Sequence, residues 1–169
     1  MYHSEVIAQL KRNKAIFEHQ FKGLTNLQYS WKPAPEKWCL LEILCHLHDE
    51  EVEDFRARVK HVLETPEAPM PPIDPEGWVT ARKYAEADFE ERLDAFLTER
   101  QNSIDWLESL EDPKWTNVYH HPALGAMSAQ KFLSNWLTHD LLHFRQIGNV
   151  KFFYLQYITG EDLSYAGNW

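Results

Sequence analysis

Residues 136–147 read WLTHDLLHFRQI, in which His139 and His143 stand one helical turn apart with Asp140 directly after the first. On an α-helix, positions i and i+4 are separated by about 40° in angle and roughly 6 Å along the axis. The two imidazoles therefore project from one face and can share a metal ion. That face also carries Phe132, Trp136, Gln146 and Ile147 at three- and four-residue spacings, which turns the rings toward a core. A buried imidazole needs a partner at each ring nitrogen. A metal on one nitrogen and a hydrogen bond on the other would meet that need. Two ligands are too few, since catalytic zinc sites use three protein ligands and an open position. The segment WCLLEILCHLHDEEVEDF offers a third, because His46 stands within the helical stripe Ile43, His46, Leu47 and Glu50. The competing reading is that these are ordinary core histidines, since the chain has nine histidines and i,i+4 pairs arise by chance.

The neighbours of these histidines carry their own expectations. Glu50, one turn after His46, reads as an acceptor behind a ligand or as a residue on the pocket lip. Glu51 and Glu53 read as a solvated acidic face. His48 lies about 200° around the helix from His46 and is expected to face solvent. Asp140 is the nearest candidate for proton transfer or for orienting a ligand. It is also about 100° from His139, and so can face away and pair with Arg145. HDLLH has the outline of the HExxH metallopeptidase signature with Asp140 in the glutamate position. An aspartate is one methylene too short to reach a metal-bound water as a base, and no strand segment accompanies the helix. His120 and His121 are the substitutes if one ligand is misplaced.

Four segments with helical periodicity must hold these residues in place. The first spans about Ser4, as N-cap, to Phe21, and the second about Cys39 to Leu63. Five prolines within residues 66–75 exclude a helix there and imply a long connection. The third helix is expected from about Ala81 to Leu110, and residues 111–127 read as irregular. The fourth opens at Ser128 as N-cap and reaches Asn149 or a little beyond. Strand-like alternation is scarce, so the expected fold is all-α, a four-helix bundle forming a single domain over residues 1–169. In the aromatic tail, residues 151–169, Tyr154, Tyr157, Tyr165 and Trp169 are interrupted by Gly160 and Gly167. The tail is expected to fold back and shield one side of the pocket.

Composition narrows the function. A net charge of −9 disfavours nucleic acid as partner, because phosphate binding needs a basic face. No apolar run approaches the roughly 20 residues of a membrane helix. The N-terminal residues lack the apolar core of a secretory signal. Cys39 and Cys45, six residues apart on one helix, are about 9 Å apart and beyond disulfide reach. A cytoplasmic protein acting on a small molecule is the plain expectation. Seven tryptophans leave apolar surface for a second copy of the chain.

The segments WKPAPEKWCLLEILCHLHDEE and WLTHDLLHFRQI, with the Pro-rich loop and one long helix between them, resemble the DinB-like (YfiT-like) family over about residues 1–150. The resemblance implies an up-down-down-up bundle, often a homodimer. It also implies a divalent metal, nickel or zinc, held by His46, His139 and His143 at one end of the bundle. Relatives include transferases that use low-molecular-weight thiols, a mycothiol-dependent isomerase and metal-dependent hydrolases. By resemblance this chain is thus a metal-dependent enzyme, with a thiol-dependent S-transferase acting on small electrophiles in front. A hydrolase and a non-catalytic metal- or ligand-binding stress module are the alternatives. One departure is visible, in that Cys39 stands where the family has serine or threonine.

Overall fold

The computed structural model describes residues 2–167. Helix α1, Tyr2–Phe21, buries Leu10, Asn13, Phe17 and Phe21 at helical spacing. It begins before Ser4, which lies in the first turn rather than at the cap. A short helix α2, Asn26–Ser30, follows a capping box in which Thr25 and Gln28 satisfy each other's backbone N–H groups. Helix α3, Leu40–Asp49, starts at Cys39. The Cys39 N–H donates to the Glu42 carboxylate at 2.9 Å, so a glutamate side chain ties down this first turn. After α3 the backbone widens into a π-helical segment, Glu50–Arg56, and then continues as α4, Ala57–Glu64. These three pieces form the expected second bundle helix as one rod with a π-helical middle.

The third helix departs from expectation at its start. Residues 75–81 form a separate short helix α5, Pro75–Ala81, capped by Asp74. Lys83 then adopts a left-handed φ of 52° that stops the turn. Helix α6, Phe89–Ser109, begins only after Asp88, whose carboxylate accepts from the Glu91 N–H at 2.8 Å. Within residues 111–127, expected to be irregular, the chain instead forms a hairpin of β1, Val118–His121, and β2, Gly125–Ser128. Ser128 caps α7, Ala129–Thr159, as expected. This helix continues well beyond Asn149 and stops at Gly160, where φ is 68°.

Side-chain pairs fix the direction of each helix. Asn13 meets Asp140, Phe17 meets Phe144 and Gln20 meets Lys151, so α1 and α7 run parallel. Lys11 meets Glu108, Phe17 meets Phe96 and Phe21 meets Phe89, so α6 runs antiparallel to α1. His48 meets Arg92 and Arg56 meets Glu99, which sets the second rod parallel to α6. The bundle is therefore up-down-down-up. The topology has a direct consequence for the crossover. Rod two ends at the opposite end from where α6 must begin, so residues 65–88 have to travel back along the bundle.

The core falls into two clusters. One gathers Phe17, Phe21, Leu44, Phe96 and Ile147, and the other Leu10, Phe55, Val59, Leu133 and Trp136. Where they meet, the buried residues are polar: Asn13, His46, Glu51, Arg100, Asp140 and His143. The histidines thus sit at the junction of the clusters rather than at an extreme end of the bundle.

Candidate metal centre

The structure brings His46 from α3 together with His139 and His143 from α7, with one ring nitrogen of each within 4.8 Å of the others. His139 Nε2 lies 3.3 Å from His46 Nε2 and 3.0 Å from His143 Nε2. Two antiparallel helices thus aim three Nε2 atoms at one point. Among the described residues no other group of three or more His, Cys, Asp or Glu side chains converges this way. Neutral imidazoles carry one proton each, so three nitrogens meeting at about 3 Å cannot all be satisfied by one another. A cation meets the arrangement directly. Bonds of about 2.0–2.1 Å in tetrahedral array would place ligand nitrogens about 3.3 Å apart, close to the observed spacing.

Electrostatics keep the lone pairs available. Burial, and then the neighbouring imidazoles, push His139 down to about 2. Burial followed by the proximity of His143 holds His46 at about 3. For His143, burial prevails over the opposing effect of Gln146 and sets it at about 4. Neutral imidazole is the ligating form. The Nδ1 atoms of His46 and His143 are buried without a protein partner, so the second ring nitrogens remain unfixed by protein.

Two clefts open onto the cluster. One is lined by His46, Glu50, His143 and Gln146, with Ile73, Asp74 and Glu76 of the crossover forming its far wall. The returning chain that the topology demands therefore roofs the histidines. The other, about 470 Å³, lies between α7 and residues 33–38, and shares Trp38, His143 and Gln146 with the first. Glu50 is a lip residue, as one of its two expected readings had it. Its Oε1 is buried without a protein partner. Burial, and then the hydrogen-bonded Asp54 carboxyl, raise Glu50 to about 9.

Behind the histidines lies a buried charge network that spacing did not suggest. Arg100, fully buried on α6, donates two bonds of 2.8 Å to Asp140 and approaches Glu51 at 2.9 Å. Asn13 of α1 donates to Asp140 at 2.9 Å, and the Trp136 indole N–H to Glu51 at 3.0 Å. All four bundle helices meet here. Burial opposes the guanidinium charge, but Asp140 and Glu51 outweigh it and raise Arg100. Three expectations are corrected by this. Asp140 pairs with Arg100, not Arg145. Glu51 is 1% exposed, not on a solvated face. His48 is half-buried, paired with Asp49 at 2.8 Å and next to Arg92 at 3.1 Å. Glu53, as expected, remains largely exposed, and it pairs with Arg82 at 2.7 Å. Asp49, Glu50 and Glu51 are consecutive and all buried because three different neighbours surround this stretch of the rod. Burial alone would raise Asp49, but bonds from His48, Tyr84 and Arg82 hold it at about 2.

His120 and His121 lie on the hairpin, away from the cluster. His121 Nδ1 accepts from the Ala123 and Leu124 N–H groups at 3.1 Å. The tail does not fold back where expected. Residues 151–159 continue α7, where Tyr154 and Tyr157 pack on Trp31 and Phe153 lines the cleft between α7 and residues 33–38. Residues 161–167 line neither cleft, and Tyr165 is fully exposed. Trp169 lies outside the described residues. One missed residue was legible: Arg100 sits in the stripe Leu93, Phe96, Arg100, Ile104 and Leu107, where a lone cation needs a buried acid.

Comparison with known proteins agrees with this architecture. The family model described as the DinB superfamily matches residues 9–147. Among solved structures, YfiT from Bacillus subtilis superposes with a TM-score of 0.77 at 17% identity, covering 95% of this chain and 89% of that one. It is described as a probable metal-dependent hydrolase with an unusual four-helix bundle topology. A mycothiol-dependent maleylpyruvate isomerase superposes with a TM-score of 0.66 at 13% identity, covering 88% of this chain and 61% of that one. At these identities the likeness is one of fold. No curated protein matches the sequence.

Proposed function

This chain belongs to the DinB superfamily, and from that premise we propose that it is a metal-dependent enzyme, a thiol-dependent S-transferase acting on small electrophiles. The observation that carries the metal is the convergence of His46, His139 and His143, with His143 lining both clefts and His46 one of them. Nickel or zinc fits three imidazoles. A bound divalent ion with open positions would acidify a bound water or thiol into a nucleophile at neutral pH.

The chain's own residues set the remaining conditions. Both cysteines are free and buried, and burial pushes Cys45 up to about 12. Neither is an accessible thiolate, so a nucleophilic sulfur has to arrive with a co-substrate. Glu50 lines the first cleft beside His46 and His143, and a group that holds a proton at neutral pH can deliver it to a leaving group. Asp140 has both oxygens engaged by Arg100 and Asn13, so it is reassigned from proton carrier to positioning residue on the back of the His139 helix turn. In the same family reading the chain forms a homodimer. Exposed Leu141, Leu155 and Ile158 on α7 supply apolar surface for it, and light scattering at tens of micromolar tests it.

The experiment is a paired assay. Metal-loaded protein is incubated with glutathione, bacillithiol or cysteine plus a chlorinated or epoxide electrophile, and in parallel with esters and amides. Metal-dependent thiol consumption supports the transferase. Turnover without thiol replaces it with a hydrolase. Inactivity across both sets and several metals leaves a binding module.

A further inference from the structure

The cleft between α7 and residues 33–38 is asymmetric in charge. Along α7, Leu142, then Arg145 and Gln146, then Asn149 and Val150, then Phe153 recur one helical turn apart and form one wall. Lys37 and Trp38 stand on the loop opposite. Lys37 and Arg145 are both exposed, and neither side chain makes a hydrogen bond or ion pair with a described residue. Other cations near the site are neutralised: Arg82 by Asp49 and Glu53, Lys32 by Glu42, and Arg100 by Asp140 and Glu51. No carboxylate lines this cleft. The second cleft on the same histidines is acidic through Asp74 and Glu76 on its far wall.

We propose that Lys37 and Arg145 form a subsite for the anionic head group of a small molecule whose apolar body lies against Trp38 and Phe153 and whose reacting end reaches the histidine cluster. This rests on the cluster being the reactive centre and adds the substrate class. The net charge of −9 does not oppose it, because at physiological salt fields decay over about 8 Å and the local pair of cations dominates. Arginine donates two parallel bonds to a carboxylate, and Gln146 and Asn149 add neutral polar side chains to the same wall. The acidic cleft repels the same head group, so the molecule has one favoured orientation. The head can belong to the thiol co-substrate or to the electrophile, because either fits the same cations.

The test uses probes matched for shape. Metal-free protein is titrated calorimetrically with phenylacetate and with phenylacetamide. The acid should bind about tenfold tighter. Lys37→Ala with Arg145→Ala should erase that preference without changing phenylacetamide affinity, while Lys60→Ala should leave both unchanged. Both residues are exposed, so the variants are expected to fold, and circular dichroism checks this. Equal affinity for the two probes, no acid binding at millimolar concentration, or a preference that survives the double variant would each overturn the subsite. Because this arm needs no metal, its failure is distinct from failure of the metal reading. Metal-loaded protein is then titrated with 3-mercaptopropionate and its amide. Weakening of the mercapto acid in the double variant assigns the head group to the thiol. Unchanged mercapto acid with weakened phenylacetate assigns it to the electrophile.

Discussion

Arg100 grips Asp140 through two parallel bonds of 2.8 Å, while the adjacent His139 turns toward His46 and His143. The HD pair therefore splits between two jobs on two sides of one helix. Removing one partner of a buried pair leaves an uncompensated charge, at a cost of about 3–5 kcal/mol. Asp140→Ala should lower stability by that order in urea unfolding while the folded fraction still binds metal. If Asp140→Asn instead abolished turnover with stability and metal content unchanged, Asp140 would be a proton carrier after all.

Single alanine replacements of His46, His139 and His143 should each abolish tight metal binding. His48→Ala and His121→Ala should each keep one equivalent, measured by elemental analysis after dialysis. Retention of a full equivalent by both His46→Ala and His143→Ala would remove the centre. Metal at a thousandfold above its dissociation constant should add about 4 kcal/mol to wild-type stability by linkage, and little to the variants.

Acid should destabilise the bundle through the same three rings. Their folded values, about 3, 2 and 4, lie below the ordinary 6.5. The unfolded chain therefore takes up protons first as pH falls, and stability rises with pH in this range. The contribution is fully present above about 6.5 and is lost progressively as pH falls from there toward 4 and below. Metal occupancy should decline through the same window, since protons compete for the ligating nitrogens. Unfolding midpoints between pH 7 and 4 should fall more steeply in wild type than in a triple alanine variant.

Glu50→Gln keeps the shape of a protonated carboxyl but cannot transfer its proton. Folding and metal content should be retained while kcat falls by about 10²–10⁴. An unchanged pH–rate profile in this variant would leave Glu50 as a wall of the cleft only.

Truncation after Gly160 should leave stability and metal accessibility unchanged, because the described residues beyond it bond only locally. Truncation after Val150 should weaken both, since it removes Phe153 from the cleft and the Tyr154 and Tyr157 contacts with Trp31. Chelator access rates and thermal unfolding separate the two cuts.

The sequence by itself determined what local rules control. Apolar periodicity set the four long helices, five prolines forced the crossover, Ser128 capped α7, and four-residue spacing put His139 and His143 on one face. It also placed His46 in an apolar stripe, which made it a candidate before any contact was visible. Only the tertiary structure decided which faces meet. Glu51 looked like a surface acid, and Asp140 like a proton carrier or a partner of Arg145, because periodicity records the face a residue occupies and not the partner across it, and that partner, Arg100, lies on another helix. The π-helical segment at Glu50–Arg56 and the longer α7 were invisible for a related reason. A helix keeps or alters its turn according to what packs against it, and that is settled by neighbours distant in the chain.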